Sequence, residues 1–84
     1  MPRYYFDTHD GRYFNYDNRG MECGMQELRQ QAILSLRDMA AEELPDGPHH
    51  CFWIKVRDDQ GNYVFEATLE LKSGWIQRRQ EAPR

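Results

Sequence analysis

Apolar and polar positions alternate along most of this chain, and they recur at spacings of three and four along one central stretch. Residues 3–8 alternate, with Tyr4, Phe6 and Thr8 on one side and Tyr5 and Asp7 on the other. His9-Asp10-Gly11 is a turn signal, and residues 12–16 form an aromatic second strand that ends at Asp17-Asn18-Arg19-Gly20. Met25, Leu28, Ala32, Leu36, Met39 and Ala40 then fall on one stripe, which predicts an amphipathic helix over residues 25–44. Pro45-Asp46-Gly47-Pro48 stops that helix. Its start is weakly marked, because Cys23-Gly24 offers no side-chain cap and Glu22 and Glu27 help only through the dipole.

Residues 51–58 alternate again, with Phe52, Ile54 and Val56 opposed to Cys51, Trp53, Lys55 and Arg57. Asp59-Gln60-Gly61-Asn62 turns the chain into a fourth strand over residues 63–71. That strand sets Tyr63, Phe65, Ala67, Leu69 and Leu71 against Val64, Glu66, Thr68 and Glu70. The expected fold is α+β: a ββαββ chain forming a four-stranded, mainly antiparallel sheet with the helix packed on one face. The expected core is Phe6, Phe14, Phe52, Ile54, Val56, Phe65, Leu69 and Leu71 beneath the helical stripe. Strand order stays open, since either the outer or the inner strands of the hairpins could meet. One domain is expected over residues 1–76, with a flexible tail over 77–84.

Composition narrows the picture. With 84 residues and 39% hydrophobic content the core is thin, and aromatics at 13% must supply much of it. A net charge of −3 argues against phosphate-backbone binding over the whole surface. The start lacks the apolar run of a signal peptide and no stretch reaches membrane-span length, so a cytoplasmic protein is expected. Cys23 and Cys51, far apart and outside any CxxC, read as reduced, unreactive thiols.

The placed elements resemble a family of short uncharacterised bacterial proteins, a domain-of-unknown-function family common in rhizobia and related alphaproteobacteria. The likeness rests on Met1-Pro2-Arg3-Tyr4-Tyr5-Phe6-Asp7 running into His9-Asp10-Gly11, and on Asp17-x-x-Gly20. It continues through Ala40-Ala41-Glu42-Glu43-Leu44-Pro45-Asp46-Gly47 and Val56-Arg57-Asp58-Asp59-Gln60-Gly61. The chain departs from the family at Cys23-Gly24, where a capping or acidic residue is expected, and after Gly74. The resemblance implies the fold and a bacterial origin, and it implies no activity.

Asp7, Asp10 and Asp17 are grouped near the first hairpin, but the spacing is too short for a calcium loop, and turn aspartates bond their own backbone. His49, His50 and Cys51 could suggest zinc, yet neighbours on a strand point to opposite faces, so no metal is expected. Ser35 and Ser73 sit in no nucleophile elbow, and nothing in the pattern activates Cys51 beside His49 or His50. No enzyme activity and no cofactor is expected.

What remains is the sheet face away from the helix. It should carry Tyr5, Tyr13, Trp53, Lys55 and Arg57, together with Asp7, Asn15, Glu66, Thr68 and Glu70. Rings beside basic groups suit a protein interface or self-association. They equally suit shielding of an open sheet. The leading expectation is a non-enzymatic protein-binding or adaptor module acting through the open face or an edge of the sheet. The alternative is a weak single-stranded nucleic-acid binder using the same face with Arg78 and Arg79.

Overall fold

The computed structural model describes residues 1–42 and 47–76. The expected end of the helix at 43–44, the Pro45-Asp46 half of its stop and the tail at 77–84, with Arg78 and Arg79, lie outside the described residues. The elements are β1 (Arg3–His9), β2 (Phe14–Asn15), β3 (Met21–Glu22), α1 (Met25–Glu42), β4 (His49–Arg57) and β5 (Tyr63–Lys72). The fold is α+β: an antiparallel sheet in the order β2-β1-β4-β5, with β3 also on β1 and the helix on one face. The first strands of the two hairpins are therefore the ones that meet, pairing from Tyr5 with Arg57 to His9 with Trp53.

Leu28, Ala32 and Leu36 of α1 pack on Phe52, Ile54 and Val56 of β4, all buried, with Tyr4, Phe6 and Phe65 around them. Glu27 contributes more than dipole help. Its carboxylate accepts the Gly24 N–H at 3.1 Å while the Leu28 N–H donates to the Gly24 carbonyl at 2.9 Å, which makes one half of a capping box. Buried Cys23 holds the chain just before the helix by donating its N–H to the Pro2 carbonyl.

The first hairpin departs from the expected alternation. In place of one strand at 12–16 there are two short ones, both paired to β1. Thr8 lies opposite Asn15 and Tyr4 opposite Met21, so four steps along β1 face six along the other chain. The two surplus residues leave the ladder as a loop at 16–20. Asp17 fills the gap, its carboxylate accepting the β1 N–H of Phe6 at 2.9 Å where a strand carbonyl would otherwise stand. Asp10 sets the register of β2 by accepting the N–H groups of Arg12 and Tyr13 at 2.9 and 2.7 Å. Phe14 then lies opposite His9, on the face away from the helix, and is removed from the expected core. Asn15, opposite Thr8, shares the helix-side parity, and Tyr13 sits in the turn, 69% exposed.

The second hairpin carries one correction of the same kind. Val56 pairs with Phe65 but Arg57 pairs with Tyr63, leaving Val64 as a bulge. One extra residue reverses the parity beyond it, so Tyr63 faces away from the helix and not into the core. Leu69 and Leu71, expected in the core, are 41% and 44% exposed, because α1 lies mainly over β4.

Candidate binding face

The face away from the helix has three parts, each set by strand register. Its centre is an ion pair. Asp7 on β1 is fully buried, and Arg57 at the end of β4 donates to it from Nε at 3.0 Å and from a terminal nitrogen at 3.2 Å. The same terminal nitrogen donates to the Asp17 carbonyl at 2.5 Å. The guanidinium lies over two rings, 4.0 Å from the centre of Tyr16 and 4.8 Å from that of Tyr5. Tyr63, turned to this face by the bulge, donates its hydroxyl to Asp7 at 3.1 Å, and the Asp17 N–H donates at 2.9 Å. Among the described residues no buried side-chain nitrogen or oxygen lacks a partner. The buried charge is therefore tolerated.

Burial pushes the Asp7 carboxyl upward, but the bonds from Arg57, the Asp17 N–H and Tyr63 outweigh it and hold the carboxyl below its usual range. Asp17 behaves likewise: burial raises it, and the N–H groups of Phe6, Arg19 and Gly20 bring it below. The bond to Asp7 raises Tyr63, and the same carboxylate raises Arg57. Both aspartates are thus more acidic folded than unfolded, so what they contribute is fully present above about pH 4, the unfolded aspartate value. It is lost as the pH falls through their lower folded values. The urea midpoint should hold steady from pH 7 to pH 5 and fall steeply below about pH 4. A decline already complete by pH 5 would contradict these assignments.

The second part is an aromatic ledge. Trp53 stacks on His9 at 5.4 Å and 14°, tilts against Phe14 at 5.8 Å, and has the Lys55 ammonium 5.2 Å from its ring. The third part is the far end of the hairpin, where His49 and Cys51 of β4 share this face with Glu70, which lies opposite Cys51 on β5. His50 points to the other face, where its ring meets Phe52 and its Nε2 meets the Asp10 carbonyl.

Of the five residues expected to form a site, Tyr5 and Arg57 belong to the buried centre, Trp53 and Lys55 to the ledge, and Tyr13 to the turn. The face brings four of them together but commits Arg57 to Asp7. Sequence reasoning missed Tyr16, Phe14 and Tyr63, which the loop, the Asp10 turn and the Val64 bulge place there. It also missed Glu70 beside Cys51, although the opposed alternations of Phe52 and Leu69 carry that signal. The described residues include no helix long and apolar enough to cross a membrane.

A family model described as a domain of unknown function, DUF6894, matches residues 3–70. No curated protein and no solved structure matches the chain.

Proposed function

This chain belongs to the DUF6894 family, a domain of unknown function, and we propose that it is a non-enzymatic protein-binding module acting through the outer edge of β5. The observation that carries this reading is the length of that edge. β5 runs ten residues, and no described strand pairs with its outer side. The opposite flank of the sheet is blunted by two strands of two residues each and the loop between them. A free strand edge presents a row of main-chain donors and acceptors that another strand can complete.

A second copy of the chain fits that edge by charge. Two β5 strands paired antiparallel about a two-fold axis at Leu69 set Glu66 opposite Lys72 twice and Glu70 opposite Thr68. Centring on Thr68 instead sets Glu66 against Glu70, and centring on Glu70 sets that residue against itself. Opposed charges in such positions contribute roughly 0.2–1 kcal/mol each, and like charges oppose pairing. On the helix side the same register brings the half-exposed Leu69 onto its own copy and Leu71 onto Ala67.

Sedimentation equilibrium should therefore show a dimer that forms with rising concentration. Lys72→Glu and Glu66→Lys should each weaken it about tenfold, and the double exchange should restore it. A chain that stays monomeric near millimolar concentration, or a dimer indifferent to Lys72→Glu, sinks the idea.

Single-stranded nucleic acid has less support on this geometry. Arg57 is neutralised by Asp7, and Glu66 and Glu70 border the ledge. A bacterial cytoplasmic setting completes the proposal. Its supports are the resemblance carried by residues 1–11 and the two free thiols.

A further inference from the structure

We infer that His49, Cys51 and Glu70 form a binding site for one zinc-like divalent transition-metal ion, with a fourth position open to water. His49 and Cys51 are two apart on β4, so they project from the same face, and Cys51 is the pairing partner of Glu70 on β5. Their ligand atoms, Nε2, Sγ and a carboxylate oxygen, all lie within 4.8 Å of one another. Sγ is 3.6 Å from the His49 Nε2 and 3.9 Å from the Glu70 Oε2, and the last two atoms are 2.5 Å apart.

A tetrahedral zinc site has bonds of about 2.3 Å to sulfur and about 2.0 Å to nitrogen or oxygen. Those lengths put sulfur about 3.5 Å from the lighter ligands and the lighter ligands about 3.3 Å from each other. The sulfur distances are already close to this. The Nε2–Oε2 pair must open by roughly 0.8 Å, which the exposed Glu70 side chain can do. The short contact between that pair gives way to the ion: neutral His49 binds through the Nε2 lone pair with its ring proton on Nδ1, and any proton held between Nε2 and the carboxylate passes to solvent. Binding also releases the Cys51 proton to solvent, since the thiolate is the ligand.

The donor set selects the class of ion. One thiolate, one imidazole and one carboxylate match zinc and cobalt(II), whereas magnesium and calcium want oxygen alone. Two of the three ligands sit on one strand and the third on its hydrogen-bonded neighbour, so the backbone is fixed before the ion arrives. The side chains of His49 and Glu70 are 55% and 44% exposed, which leaves the ion a way in. The inference does not depend on β5 pairing with a second copy.

Titration of the reduced protein with cobalt(II) tests it. One equivalent should produce the near-ultraviolet thiolate-to-cobalt band, and zinc should bleach it by displacement. Cys23 is fully buried, out of reach of the added ion, and burial first and the nearby Glu27 charge second push its thiol up. Cys51→Ser should therefore abolish the band, while His49→Ala and Glu70→Gln should weaken zinc binding by roughly tenfold or more in calorimetry. His49 and Glu70 are exposed and Cys51 is half-buried, and circular dichroism should show each variant folded. No band in the wild-type chain, or a band that survives Cys51→Ser, overturns the site.

Discussion

Replacing Asp7 with alanine should destabilise the domain by about 3–5 kcal/mol, measured as the loss of unfolding free energy in urea at pH 7. The cause is what the change leaves behind. Arg57 keeps its charge, is 9% exposed, and loses both its bonds to Asp7. A chain of this length holds roughly 4–13 kcal/mol in total, so the loss is a large share of its stability and would unfold much of the population at the low end of that range. Asp7→Asn should lose nearly as much, since it keeps the shape but not the charge. Removing both charges with Asp7→Leu and Arg57→Met should recover a large part of the loss, because the pair's worth is set against the cost of taking two ions out of water. A loss below about 1 kcal/mol for Asp7→Ala would show that Arg57 reaches water without unfolding.

The second large effect belongs to Asp17. Its carboxylate accepts the N–H groups of Phe6, Arg19 and Gly20 at 2.9, 3.0 and 3.1 Å, and alanine would orphan all three. Arg19 lies in water and recovers most of its bond, whereas the part-buried Phe6 and Gly20 do not. A loss of about 3 kcal/mol follows. The two aspartates also touch, because the Asp17 N–H donates to Asp7 and Arg57 bonds both residues. The double substitution should therefore cost less than the two single losses added together, by about 1–2 kcal/mol in a double-mutant cycle. Strict additivity would mean that loop and ion pair stand independently.

How much of this was legible in the sequence depends on whether the chain keeps step with its neighbour. The alternation of β4 could be read from Cys51 onward, with Phe52, Ile54 and Val56 inward and Trp53, Lys55 and Arg57 outward, because no residue is inserted along it. His49 and His50 at its start carry no apolar signal and were expected in a loop. Phe14 and Tyr63 were misplaced for one shared reason. A turn fixed by Asp10 and a bulge at Val64 each reverse a period of two, and neither leaves a mark in hydrophobicity. Asp17 was legible as a turn aspartate, but its bond to Phe6 spans eleven residues and belongs to tertiary structure. On the face away from the helix, the alternation placed Tyr5, Trp53, Lys55 and Arg57 together, but not Tyr13, which sits in the turn. That Arg57 is spent on Asp7 depends on the pairing of β1 with β4, which the pattern left open.

The ion pair between Asp7 and Arg57 also bears on the order in which the chain can fold. Its two halves are fifty residues apart, whereas β4 and β5 are joined by a five-residue turn. Closing the long loop costs entropy that no local contact returns, so the second hairpin and the helix that lies on it are the natural nucleus. β1, the 16–20 loop and the flanking tyrosines can settle only once β4 offers them an edge and a guanidinium. In kinetic language, Asp7 substitutions should speed unfolding and leave the folding rate nearly unchanged, and the first twenty-odd residues should gain their tertiary contacts only after the second hairpin has formed.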